Sequence, residues 1–285
     1  MQPRELDFAQ QLARYRAYFP GPHLGMVVDS MLADNTAGAL WNVQDTSAPL
    51  LVLWDRGNTV FYLSGDAERE SPIEALGAAI AGELLPQARA DGLRRFKVRA
   101  LSPSLEENLP YLFPGVKLQP TTTRFAVHEA TQQASVPPPR LSGVTLLAIT
   151  PELLLRDDLG SIDAVREEIR RMWRSEARFN THGLGTLAVL GNEIICFCTA
   201  EYVGLTYCGI GIATDDRYQC QGVATATAAA FVRDARARGL TPGWECDAAN
   251  VASVRVAERA GFVWRTEEAY WSCYTSQQRE EEADA

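Results

Sequence analysis

No stretch of 18 or more apolar residues occurs in the 285-residue chain, so a membrane-spanning helix is not expected. The opening segment MQPRELDFAQQLARYRAYF has no apolar signal core and carries acidic residues that transit peptides avoid, so a cytoplasmic location is expected. Positive charge is in deficit: 27 Lys and Arg stand against 36 Asp and Glu, a formal charge of -9. General nucleic-acid binding draws on neutralised phosphates, so no nucleic-acid partner is expected. A local basic cleft for an anionic cofactor remains compatible with that balance.

Cysteine is confined to the C-terminal part, at Cys196, Cys198, Cys208, Cys220, Cys246 and Cys273. In a chain of this length, reduced and mostly buried thiols are expected rather than a disulfide framework. Cys196 and Cys198 read as alternating across a strand, and no second close-spaced pair accompanies them, so no metal site is expected. Neither a Walker GxxxxGK[ST] loop nor a GxGxxG dinucleotide fingerprint at its required place is present. The 46% hydrophobic content is sufficient for a sizeable core.

The clearest punctuation is QQASVPPPR, residues 132–140, whose three consecutive prolines favour a stiff connector. It divides an expected N-terminal mixed α/β domain, residues 1–131, from a C-terminal domain, residues 141–278, with an acidic tail over 279–285. In the first part, an apolar stripe from Leu6 to Phe19 predicts a helix broken at Pro20-Gly21. Leu50–Trp54 and Val60–Leu63 predict a hairpin, followed by a helix over 72–90 and strands near Phe96 and Arg124. His23 and His128 read as ordinary structural or surface residues.

The second part is more legible. A strand over 144–150 and a helix over 163–173 precede three strands, at 186–190, 193–200 and 206–214, the first two joined by Gly191-Asn192. An Ala-rich helix over 223–238 ends at Gly239. A strand over 243–246 leads to a helix over 251–260 capped by Asn250 and ended by Gly261, and a last strand runs from Val263 toward Tyr274. Helices interrupting a run of strands imply an α/β (α+β) fold with a sheet covered by helices. Before the Ala-rich helix the chain reads Asp216-Arg-Tyr-Gln219-Cys220-Gln221-Gly222-Val223-Ala224-Thr225. A helix start leaves several amide N–H groups without intrahelical acceptors, and these can bind a phosphate oxygen at the positive end of the helix dipole. A glycine serving only the turn is the alternative for this segment alone.

Gln219-Cys-Gln-Gly222-Val-Ala224 resembles the [Arg/Gln]-x-x-Gly-x-[Gly/Ala] pyrophosphate loop of GCN5-related N-acetyltransferases. Asn250-Val-Ala-Ser253, followed by Ala257-Glu-Arg-Ala-Gly261-Phe262, resembles their second signature. The wording from Phe179 to Phe262 is similar to a two-domain bacterial branch that includes zwittermicin A resistance-type acetyltransferases. The resemblance implies a mixed, mostly antiparallel sheet flanked by helices and acetyl-CoA as acyl donor. It also implies N-acetylation of a small-molecule amine, with a homodimer possible. Ile212, Ala213 and Thr214 would meet the pantetheine arm. Gln219, Cys220, Gln221, Gly222, Val223, Ala224 and Thr225 would hold the diphosphate, and Asn250 and Ser253 would lie beside the cofactor.

Direct acyl transfer to an amine needs a neutral nucleophile, a polarised carbonyl and a proton for the departing thiolate. Many relatives place a Glu on the central strand and a Tyr in the late helix; this chain has Gly209, Ala213 and Ala257 there. Glu201 is the first substitute for base and Tyr270 for acid, with Tyr207 a second aromatic candidate. Glu245 and Asp247 read as lying on opposite sides of the next strand, so at most one of them is expected to face the cleft. Cys208 is a poor nucleophile without a neighbouring histidine, and His182 reads as a loop residue. The alternative reading is a non-catalytic acyl-CoA-binding sensor or scaffold.

Overall fold

The computed structural model describes residues 3–43, 49–65, 70–129 and 138–274, and contacts among them group the chain into two compact units. One comprises Met1–Pro20, Gly38–Thr122 and Glu268–Ala285; the other comprises Gly21–Ala37 and Thr123–Glu267.

In the first unit, β1 (Gly38–Asn42), β2 (Leu51–Asp55) and β3 (Val60–Ser64) form an antiparallel meander, and the expected hairpin is its second half. β3 then pairs in parallel with β4 (Arg95–Ala100). A parallel neighbour requires a crossover. It is supplied by α3 (Glu70–Ala79), a π turn (Ile80–Leu84) and α4 (Leu85–Ala90), one helical run where the periodicity predicted a single helix. Every residue of β2 and β3 is buried, as for strands covered on both faces. Trp54, Phe61, Phe96 and Phe113 form the aromatic centre of this core. α1 (Pro3–Arg14) ends before the expected Phe19, and α5 (Pro103–Glu107) and α6 (Leu109–Leu112) replace one predicted helix. The break follows Asn108, which adjoins both segments, with Pro at the start of each.

The second unit is built on five strands that follow the linker region or close it: β6 (Val144–Ala148), β7 (Gly185–Leu190), β8 (Glu193–Val203), β9 (Tyr207–Thr214) and β10 (Thr241–Asp247). β6 to β9 are successively antiparallel, and β10 joins β9 in parallel. Thr123–Val127, the end of β5 (Lys117–Val127), pairs antiparallel with the far side of β10. α10 (Val223–Ala237) packs its small residues Ala226, Ala228, Ala230 and Ala235 across β7, β8 and β9. α11 (Val251–Arg259) lies against α10 and β10. The opposite face receives α8 (Ile162–Met172) and α2 (Pro22–Leu32). The Trp173 indole just beyond α8 donates to the Ala200 carbonyl at 2.7 Å. α7 (Pro151–Leu154) and α9 (Glu176–His182) are short segments, each started by a capping hydroxyl, Thr150 and Ser175.

The observed units redraw the expected boundary at 131/141. α2 buries Leu24, Met26, Val27, Val28 and Met31 and packs on β8 and β9, so it belongs to the second unit although it precedes most of the first. Thr123–Val127 belongs there too, because β10 needs an antiparallel partner. Conversely, Trp271–Tyr274 of β11 (Val263–Tyr274) pairs with β4, and its Cys273 enters the first core. Most of the proline segment, and the acidic tail over 279–285, lie outside the described residues. No described helix is long and apolar enough to cross a membrane.

Candidate functional site

The site begins where a ladder stops. β9 and β10 are paired at Tyr207–Thr241, Cys208–Pro242 and Gly209–Gly243, and no further. Both strands continue, β9 to Thr214 and β10 to Asp247. From Ile210 onward, the β9 backbone is satisfied on the β8 side only, through pairs such as Thr199–Gly211, Cys198–Ile212 and Cys196–Thr214. The edge facing β10 therefore offers main-chain donors and acceptors, including those of Ile212, Ala213 and Thr214. Side chains alternate along a strand. Cys208, Ile210, Ile212 and Thr214 face α10, while Gly209, Gly211 and Ala213 face the side carrying α2 and α8.

β9 leads through a one-turn 3-10 segment (Asp216–Tyr218) into the start of α10. Gly222 is the N-cap, at φ +80° and ψ 1°, and Cys220 also has positive φ, +59°. These two left-handed residues turn the chain into the helix. The first return bond runs from the Ala226 N–H to the Gly222 carbonyl at 3.1 Å. Among the described residues, the N–H groups of Cys220 to Thr225 have no acceptor. Gln219 and Cys220 are exposed, and Gln221, Gly222 and Ala224 partly so; Val223 and Thr225 bury their side chains. The helix mouth is thus open on its amide side. Beside it, the Arg140 N–H donates to the Gln221 carbonyl at 2.9 Å, and a β-carbon on Gly222 would lie 3.8 Å from Pro139 Cα. Gln219 is held by its own loop, its amide nitrogen donating to Asp216 at 2.6 Å. Arg217 is bound by Asp215, whose hydrogen bonds and charge raise the guanidinium pKa.

Asn250 caps α11, its Oδ1 accepting from the Ser253 N–H at 3.0 Å, and the Ser253 hydroxyl accepts from the Trp244 indole at 3.0 Å. Both residues therefore have structural partners, and both lie at the end of β10 beyond the point where β9 leaves it.

A one-residue bulge, which sequence periodicity does not reveal, places Glu201. Ala200 pairs with Ile210 and Tyr202 with Gly209, leaving Glu201 as the extra residue of β8. Its side chain lies over Gly211: a β-carbon there would come within 2.5 Å of Glu201 Oε1. Gly209 likewise makes room for the Tyr202 ring and Met26, and Gly243 for Phe125. The absence of side chains at Gly209 and Gly211 is thus what admits neighbouring groups to this face.

Tyr270 is not brought to this slot. It is wholly buried in the first unit, edge-on to Tyr62 and beneath Lys97 and Arg99. Glu245 and Asp247, expected on opposite faces, share one, because residues two apart in a strand point the same way. They differ in what they do: Asp247 accepts from the Ala249 N–H in the turn after β10, while Glu245 is in ion-pair contact with His23 of α2. Cys196 and Cys198 also share a face, paired with Thr214 and Ile212. Burial pushes Cys208 up to about 12 and raises both Cys196 and Cys198, so these thiols stay protonated. Tyr207 is half-buried on β9, and His182 is exposed at the end of α9. His23, read from the sequence as an ordinary residue, is brought by α2 to Glu245. Pro22 followed by Leu24, Val27, Val28 and Met31 is a readable helix start, but nothing local to it indicates which strands it covers.

A family model described as GNAT acetyltransferase matches residues 25–270. The chain belongs to the GNAT acetyltransferase family. That span takes in α2 from Gly25 onward as well as the β9–α10 loop, in keeping with the structural unit that holds both. A curated relative, the uncharacterized N-acetyltransferase YdfB of Bacillus subtilis, is 30% identical over 95 residues, 33% of this chain and 36% of its own length. The match therefore spans about a third of that relative. A GCN5-related N-acetyltransferase-like protein from Streptococcus suis is similar in structure with a TM-score of 0.63 at 16% identity, covering 93% of this chain and 99% of its own. A tandem GNAT protein from the clavulanic acid biosynthesis pathway has a TM-score of 0.58 at 12% identity, over 93% and 92% of the two chains. At these identities the two structures attest a shared mixed α/β fold.

Proposed function

We propose that the chain is an acyl-CoA-dependent N-acyltransferase that moves acetyl from acetyl-CoA to a primary amine of a small molecule by direct attack. One observation carries this reading: β9 and β10 part after Gly209–Gly243 while β9 leads to the unpaired amides at the start of α10. A thioester with an extended amide-bearing arm and a terminal diphosphate is complementary to a bare strand edge followed by an open helix mouth.

The residues fit such a donor. The amides of Cys220 to Thr225 supply converging N–H groups for the diphosphate, with Gln219 shaping the loop rather than adding charge. The edge of Ile212, Ala213 and Thr214 supplies main-chain partners for the arm, and an N–H near Ile212 stabilises the oxyanion. Asn250 and Ser253 flank the cofactor from α11. The acetyl-CoA thioester supplies an activated acyl group with a good leaving thiolate. Glu201 is one candidate acceptor of the amine proton. It shares its surroundings with Arg171, for which desolvation is outweighed by the hydrogen bonds it donates to Glu168 and by the charges of Glu168 and Glu201.

The test is twofold: calorimetric titration with CoA, then thiol release from acetyl-CoA over a panel comprising a diamine, an aminoglycoside and a lysine-bearing peptide. Micromolar CoA binding with amine-dependent release is expected. CoA binding without release from any amine favours the sensor alternative, which Ala257, wholly buried and without a hydroxyl, keeps open. Absence of CoA binding overturns the reading.

A further inference from the structure

We propose that Glu245 is the base for the reacting amine, and that His23, carried into the unit by α2, is its positioning residue. This rests on the acyltransfer reading above and names the group that reading leaves open.

The argument is one of placement. Glu245 stands two residues beyond Gly243, the last residue of β10 paired with β9. It is therefore on the part of β10 that has left its neighbour, and on the same face as Gly243. Across the opening, Gly211 of β9 presents that face too, with the Glu201 side chain laid over it. Two carboxylates thus flank the gap on the side opposite α10. A cationic primary amine is the substrate class such a pair attracts.

The two carboxylates differ in their partners. Glu201 lies in the field of Arg171, a permanent cation. Glu245 is in ion-pair contact with His23 through Oε2 and Nε2. The contact on Glu245 comes from an imidazole anchored in α2, not from a long, flexible guanidinium side chain. The His23 side chain is 3% exposed and that of Glu245 is 22% exposed. The histidine is therefore embedded while the carboxylate stays partly exposed. His23 is fixed from two sides, by its place in the first turn of α2 and by the Phe125 ring, 5.4 Å away between centroids. Phe125 is in turn the residue of β5 paired with Glu245.

In the step this assigns, the ammonium gives one proton to the Glu245 carboxylate and through it to solvent. The neutral amine nitrogen then forms a bond to the thioester carbonyl carbon, and the second proton passes to the Glu245 carboxylate. The carbon–sulfur bond breaks with its electron pair on sulfur, and the thiolate takes a proton from water. The products are the amide and free CoA, and Glu245 returns its proton to solvent.

The experiment compares wild type with Glu245→Gln, His23→Gln and His23→Leu, using acetyl-CoA and the amine that releases CoA fastest in the panel above. Melting curves and CoA titrations accompany each variant. Glu245→Gln keeps the shape of the side chain and is expected to lower kcat by about 10²-fold, the range of a general base, with KM for acetyl-CoA within twofold. His23→Leu is expected to lower kcat by about tenfold or more. His23→Gln, which retains a donor toward the carboxylate, is expected to recover most of that loss. Wild-type turnover with Glu245→Gln also within twofold in kcat overturns this assignment and leaves the acyltransfer reading intact. Equal kcat for His23→Leu and His23→Gln, both lowered in proportion to lost melting temperature, overturns the positioning role. No release from any amine removes the acyltransfer reading and this inference together.

Discussion

Gly222 is the residue on which cofactor placement turns. Its φ of +80° is strained for any L side chain, yet the space where a β-carbon would sit is open, the nearest atom being Pro139 Cα at 3.8 Å. Strain and charge can therefore be separated. Gly222→Ala carries only the left-handed cost, about 1–2 kcal/mol, and is expected to weaken CoA binding about tenfold at most. Gly222→Glu adds a carboxylate at the phosphate position and is expected to weaken it at least tenfold beyond the alanine variant. Calorimetry on both decides it, since equal affinities would show that no phosphate lies near residue 222. The cysteines divide equally cleanly. At pH 8 a thiol held near 12 is about one part in 10⁴ thiolate, so maleimide is expected to label exposed Cys220 and leave Cys208 unmodified in the folded protein. Early modification of Cys208, read by peptide mass mapping, would contradict its burial. Because the folded chain keeps the Cys208 and Cys273 protons to about 12 while an unfolded thiol releases its own near 9, each thiol removes stability as pH rises from 9 to 12. Melting temperature is expected to fall across that window, more gently in Cys208→Ala.

At the scale of elements, the glycines of β9 behave as two different devices. A β-carbon on Gly209 would come within 2.7 Å of the Tyr202 ring, which is itself packed and 2% exposed. Gly209→Ala therefore overpacks the sheet, with an expected cost of about 1–3 kcal/mol. On Gly211 the obstacle is the Glu201 carboxyl and its stem, which can swing away. Gly211→Ala is expected to leave the melting temperature within a few degrees while changing KM for the amine. Denaturant titration and steady-state kinetics on the pair check this, and a larger stability loss at Gly211 than at Gly209 would reverse the assignment. The strands themselves were legible, because β7, β8 and β9 have β-rich wording and Gly191-Asn192 marks a turn. So was the helix after Gly222, from its alanines and its Gly239 end. The bulge at Glu201 was not, since it depends on how β8 and β9 register against each other. The parting of β9 from β10 has no local mark either, since Gly243 and Trp244 read as continuous strand.

Across the whole molecule, the proline run at 137–139 was the strongest boundary signal in the sequence, and the units do not follow it. Local composition marks where a chain is stiff, but membership of a core is set by which apolar face meets which sheet. α2 shows the difference. It buries Leu24, Met26, Val27, Val28 and Met31, and full burial of such side chains is worth about 1.5–3 kcal/mol each. Even discounted for a compact unfolded chain, that approaches the 5–15 kcal/mol by which a whole domain is stable. A fragment beginning at Leu141 would lack this helix and would also lack Thr123–Val127, the antiparallel partner of β10. It would keep every residue of the GNAT signature loops. We therefore expect a fragment of residues 141–285 to be insoluble or to melt without a cooperative transition, although it matches the domain that the sequence marks out. The full chain with Met26→Asp, which puts a charge where Gly209 and Gly243 meet α2, is expected to lose at least 3 kcal/mol by denaturant titration. A 141–285 fragment that folds cooperatively and binds CoA as tightly as the full chain would show that α2 merely covers the unit, and would confine the catalytic machinery to the strands and α10.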